Sequence, residues 1–141
     1  MKIFRAGASP SLPSDPARYT GEVWTDDLAD GAPPHRTHVA RVSFSPGART
    51  AWHTYPFGQI LHVISGIGLV CRAAEHPILL TAGDTIAIAP GERHWHGATL
   101  EHAFVHLAIQ DADDEGCMAT WEELVDEETY RIAARRSRLP A

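Results

Sequence analysis

Between Glu22 and Ile109, hydrophobic and polar residues alternate in short runs, each closed by turn residues. Such runs predict strands at 22–25, 36–44, 50–55, 59–65, 67–73, 77–81, 85–89, 93–97 and 102–109. The breaks fall at Gly31–Pro34, Ser45–Gly47, Pro56–Gly58, Ser65–Gly66, Ala82–Asp84 and Pro90–Gly91, where Gly and Pro suit tight turns. No helical period of useful length interrupts them, so 22–112 reads as one all-β barrel or sandwich. Residues 1–21, with Pro10, Pro13 and Pro16, read as an irregular arm lying on the body or on a partner chain. Helix is expected only in 113–141. Thr120 with Glu123 offers a capping box, and Asp126 is a second N-cap candidate for a helix over 127–136. Trp121, Leu124, Val125, Tyr130 and Ile132 supply an apolar side to dock on the barrel. Arg131, Arg135, Arg136 and Arg138 suit the negative end of the helix dipole.

Composition narrows the function classes. The 141 residues carry a formal net charge of −6, and no basic stripe crosses the folded part. A nucleic-acid partner is therefore not expected. No apolar run approaches the roughly 20 residues of a membrane span, and the opening MKIFRAGASP has no apolar stretch of signal-peptide length. Two cysteines, Cys71 and Cys117, make no disulfide framework, which points to a reducing cytoplasm. Histidine stands out, with nine in the chain and seven of them between His53 and His106.

Strand alternation sorts these histidines by face. His53 and Tyr55 share one face while Trp52 takes the other; His94 and His96 project together with Trp95 opposite. His62 points away from Gln59, Leu61 and Val63, hence outward or to an interface. His35, His38, His76 and His102 are most simply loop or surface residues. In 102–109 alternation leaves two alternatives. Val105, Leu107 and Ile109 form the continuous apolar face, which on its own sends His106 and Gln110 to solvent; a polar interior would reverse the assignment.

The spacing Gly47-x5-His53-x-Tyr55-x3-Gln59-x6-Gly66, followed by Gly83-x7-Gly91-x2-His94, resembles the two motifs of the cupin family. The likeness extends over roughly 22–110. Pro46–His53, Gly58–Gln59, Pro90–Ala98, His106 and Gln110 further resemble a subgroup of small bacterial cupins that includes manganese-dependent hydroxynitrile lyases. The family's second His is Tyr55 here, its acidic ligand is Gln59, its proline is Ala89 and its late Asn is Ala98.

The resemblance implies a cupin double-stranded β-helix, or jelly roll, with a short C-terminal helix. It implies a divalent metal, manganese first and iron, nickel or zinc as alternatives, held by His53, Gln59 and His94. Imidazole nitrogen and amide oxygen suit such ions, and three neutral ligands leave the ion its charge and open positions. Tyr55 is expected to line the pocket rather than to ligate, with lower metal affinity as the consequence. His96 and His106 become the candidate bases. Ala40, Val42, Phe44, Leu61 and Gln110 become the substrate pocket. The implied activity is reversible cleavage of a cyanohydrin to an aldehyde and hydrogen cyanide. A dioxygenase or isomerase, or a non-catalytic small-molecule-binding cupin, are the alternatives. A small-molecule substrate and a second copy in a homodimer are the expected partners.

Overall fold

A computed structural model describes residues 1–137, so Arg138 and the rest of 138–141 lie outside the described residues. Two short strands, β1 (Leu12–Pro13) and β2 (Tyr19–Thr20), come from the N-terminal arm. The barrel follows as β3 (Val23–Asp30), β4 (Thr37–Phe44), β5 (Arg49–Thr50), β6 (His53–Thr54) and the long β7 (Gln59–Arg72). It continues through β8 (Ile78–Thr81), β9 (Thr85–Ile88), β10 (His94–Ala98) and β11 (Phe104–Asp111). A last short strand, β12 (Thr120–Trp121), precedes helix α1 (Glu127–Arg136).

The strands pair antiparallel in the order β1-β3-β4-β11-β7-β10-β5-β2, with β8 and β9 both on β7 and with β6 on β10 and β12. Strand β7 belongs to both layers of the jelly roll. Its first half faces β11 and β9; its second half faces β10 and β8. The sequence breaks this stretch at Ser65–Gly66, whereas the structure carries the strand through. The turn residue still bends the chain: Gly66 has φ +82°, and a Cβ there would lie 1.9 Å from the Ala103 carbonyl oxygen. The β11–β7 register also shifts between Val105 and His106, and a bulge of this kind increases local twist. The expected strand 50–55 is instead two pieces, β5 and β6.

Val42, Phe44, Leu61, Val63, Val70, Leu80 and Phe104 form the main core between the layers. A second cluster of Leu69, Trp95, Val125, Tyr130 and Ala133 docks the helix on the outside of the barrel. Asp126 caps α1 by accepting from the Thr129 amide at 2.7 Å. The alternative capping box at Thr120 does not form, because Thr120 and Trp121 pair as a strand with Thr54 and His53. Leu124 and Ile132 are exposed rather than docked. Buried Arg49 secures the helix: it donates to the Val125 carbonyl at 2.8 Å, pairs with Glu127 at 3.1 Å and lies 4.5 Å over the Tyr130 ring. Among the described residues, no helix is long and apolar enough to cross a membrane.

Strand β10 lies tight against β5. A Cβ at Gly97 would meet the Ala48 carbonyl oxygen at 2.4 Å and the Arg49 Cα at 2.6 Å, both backbone atoms that cannot rotate away. Gly97→Ala is therefore expected to destabilise the fold by about 1–3 kcal/mol, the usual scale of overpacking, measured by urea denaturation. An unchanged midpoint would show that β5 moves freely.

Candidate metal centre

Antiparallel pairing brings the separated histidines together. His94 on β10 sits opposite His53 on β6, and His96 follows two residues along on the same face. The His53 and His94 rings are 4.2 Å apart, and His96 lies 5.4 Å from His53 and 5.7 Å from His94. One ligating nitrogen from each of the three lies within 4.8 Å of the others. On β11, Phe104, His106, Ala108 and Gln110 are the buried set, while Val105, Leu107 and Ile109 are half-buried on the outer face. The polar interior thus decides the alternation that the sequence leaves open. The His106 ring stands 4.9 Å from His96 and packs against Phe44 and Phe104.

The backbone fixes two of these imidazoles. His53 donates its Nδ1–H to the Ala51 carbonyl at 2.8 Å, and His94 donates its Nδ1–H to the Glu92 carbonyl at 2.9 Å. A carbonyl only accepts, so both rings carry their lone pair on Nε2. Neither Nε2 has a partner, although both are buried. Gln59 shows the same polarity: its amide donates to the Gln110 Oε1 at 3.1 Å, and its own Oε1 is buried without a partner. Buried acceptors without donors are costly, and oriented lone pairs backed by outer hydrogen bonds are the arrangement metal ligands take. His53, His94 and His96 therefore form a group compatible with a divalent ion, and Gln59 lines the adjoining cavity with its own Oε1 unpartnered.

A cavity of about 510 Å³ opens beside them. Of the expected pocket residues, Ala40, Val42 and Gln110 line it, together with His53, Tyr55, Gln59, His96 and His106. Phe44 and Leu61 do not: both are buried in the core behind the histidine face, and Phe44 supports His96 and His106 from there. Tyr55 is held by its carbonyl, which accepts from the Gly58 and Gly91 amides. His38 is not a surface-loop residue. It lies on β4 at the cavity edge, between Asp27 at 3.3 Å and Asp30 at 2.5 Å. His62 points outward and bonds to the Thr85 hydroxyl at 2.8 Å. Trp95 packs under Tyr130 and Trp52 under Arg93, on the side away from the histidines.

Sequence reasoning missed the walls supplied by the two ends of the chain. Leu12, Pro13 and Tyr19 of the arm and Met118 and Trp121 of the C-terminal segment all line the cavity. Trp121 stacks on His53 at 4.6 Å. Strands of two residues are too short to show alternation, so no local signal marked these positions.

Burial sets the charge state. It pushes His53 down to about 3, helped by His94, and His106 down to about 4. His96 is held well below 6.5 by burial and then by its imidazole neighbours, and burial also lowers His94. Burial raises the Tyr55 hydroxyl, which stays protonated. The site is a neutral, lone-pair-rich pocket.

The jelly roll and its inward imidazoles define a class of small β-barrels with a polar cavity inside. The chain belongs to the cupin family, whose Cupin domain matches residues 40–109. It is 42% identical to an (R)-mandelonitrile lyase of Granulicella tundricola over 131 residues, 93% of this chain and 99% of that protein. A cupin-like protein of Thermotoga maritima shares 36% identity and superposes with a TM-score of 0.79 over 94% of this chain and 97% of that one. The polyketide cyclase RemF of Streptomyces resistomycificus, at 16% identity and TM-score 0.72 over 93% and 91% of the two chains, shares the fold.

A histidine kept neutral in the fold but free to protonate once unfolded gives the unfolded chain more protons as pH falls. Stability of the metal-free protein is therefore present above pH 6.5 and lost as pH drops below it. Each such group contributes a slope of about 1.4 kcal/mol per pH unit down to its folded value. Urea denaturation between pH 7 and 4.5 is expected to show this fall, and His106→Leu to flatten it by one group's share. Equal slopes in the two proteins would place the proton uptake elsewhere.

Proposed function

We propose that this chain is a metal-dependent lyase of the hydroxynitrile lyase type, splitting a cyanohydrin into an aldehyde and hydrogen cyanide. The observation that carries this is the set of bare lone pairs on His53 Nε2, His94 Nε2 and Gln59 Oε1, buried beside a cavity with a small apolar wall. The activity in the name of the 42%-identical relative supports it. His53, His94 and Gln59 would hold the divalent ion, manganese by resemblance, with iron, nickel and zinc compatible with the same donors. Bound there, such an ion supplies Lewis acidity that lowers the pKa of a substrate hydroxyl.

The chain's own groups do the rest. His96 or His106, uncharged near neutral pH, accepts the hydroxyl proton. The freed O–H electron pair becomes the C=O double bond, the C–CN bond breaks, and cyanide leaves with its pair. The imidazolium then returns the proton, giving hydrogen cyanide and a neutral base. Ala40, Val42 and Ala108 are small and leave room for the organic substituent, with Trp121 and Tyr19 as an aromatic flank. Tyr55, a phenol inside the pocket, donates a hydrogen bond to the ligand or to water. On the outer face of the sheet, exposed Ile60 and Ile64 beside Val105, Leu107 and Ile109 suit a second copy in a homodimer. The unpaired Cys71 and Cys117 suit a cytoplasmic location.

Position 55 favours one second reading, a binding protein whose metal site is weakened because a phenol stands beside His53, their rings 5.3 Å apart. Elemental analysis of untreated protein separates the two. The lyase is expected to carry close to one metal per chain, with Gln59→Ala and His94→Ala lowering occupancy and Tyr55→His raising it. Protein that binds small molecules yet holds little metal supports the second reading.

Incubation with mandelonitrile is expected to release benzaldehyde from manganese-loaded protein, seen by ultraviolet absorbance, and not after chelation. Full activity in the chelated protein, or none in the loaded one, rejects the lyase assignment.

A further inference from the structure

The histidine cluster holds more nitrogen donors than His53 and His94 alone provide. The His96 ring lies only 13° from parallel with His94, and it faces His53 edge-on at 5.4 Å. Its Nδ1 is buried without any hydrogen-bond partner. A ligating nitrogen of His96 falls within 4.8 Å of one on each of the other two rings. Three nitrogens that share one ion at about 2.1 Å stand at most about 3.6 Å apart when equally spaced around it. Side-chain adjustments of up to about 1 Å close the set. Tyr55 does not compete on this geometry. Its ring centroid is 6.2 Å from that of His94, against 4.2 Å between His53 and His94 and 5.7 Å between His94 and His96.

His106 differs. It stands outside the three-histidine group, wedged between Phe44 and Phe104, and both of its nitrogens are without partners. The aromatic contacts keep its ring on the cavity side of β11, next to His96 rather than within the cluster.

We propose that His96 is a metal ligand: His53, His94 and His96 form a three-imidazole set with Gln59 as the oxygen donor, and His106 alone moves the substrate proton. This rests on the metal-dependent reading given under Proposed function. It divides two residues that the sequence treats alike, both being candidate bases, into a ligand and a base. The division follows from their neighbours, a packed imidazole trio for one and two phenyl rings for the other.

The test is titration of chelator-stripped protein with manganese(II) chloride, followed by calorimetry, for the unmodified chain and for His53→Leu, His96→Leu and His106→Leu. The expected result is a loss of affinity of at least tenfold for His53→Leu and His96→Leu, and a change of less than threefold for His106→Leu. Pulsed electron paramagnetic resonance of the unmodified protein, loaded with manganese(II) and labelled with nitrogen-15 histidine, gives an answer that needs no variant. It is expected to show three coordinated imidazole nitrogens. Two nitrogens, or His96→Leu binding as the unmodified chain does while His53→Leu fails, overturns the assignment of His96 alone. Binding that His53→Leu also leaves unchanged overturns the metal site as a whole, and this assignment with it.

Discussion

The structure turns on a set of buried acceptors that the protein itself leaves without donors. Inside a barrel, an imidazole or carboxamide oxygen without a partner costs on the order of 1–3 kcal/mol. Here His53, His94 and Gln59 each keep one such atom, and the backbone or a neighbouring amide ties up the other. The outer hydrogen bonds are what prevent the side chains from turning to satisfy themselves. The burial that leaves these lone pairs bare also keeps the histidines neutral and leaves the fold sensitive to acid.

The rest of the architecture serves that cluster. Jelly-roll pairing puts His53, His94 and His96 on adjacent strands, and the split membership of β7 lets Gln59 and the β11 residues face them from the other layer. Gly97 permits the close approach of β10 and β5 that seats Ala48 and Arg49 under the site. Arg49 in turn anchors α1, and the chain just before that helix lays Trp121 across His53. The arm contributes Leu12, Pro13 and Tyr19 to the mouth. Both ends of the chain thus close a cavity whose chemistry lies wholly in the barrel.

Position 55 sets this chain apart within its pattern. A phenol beside His53 removes one imidazole from the expected ligand face, while His96 brings another to the same three-nitrogen group. The strand pair that aligns His94 with His53 brings His96 to the same group.

Much of this was legible in the amino-acid order. Turn residues located the barrel strands, alternation put His94 with His96 and His53 with Tyr55, and motif spacing singled out His53 and His94, which the fold brings together. Asp126 marked the helix start. Local pattern could not choose the inner face of β11, because an apolar face and a polar face each read as a credible interior until the opposing layer was in place. Nor could it separate Ala40 and Val42, which reach the cavity, from Phe44 and Leu61, which share their faces but lie deeper in the core. The two-residue strands at Leu12, Tyr19 and Trp121 have no period to read, and their positions come only from the partners they pair with. Sequence fixes which face a side chain takes along its own strand; what stands across from that face, and so whether it meets water, core or a cation, is decided by strands distant in the chain.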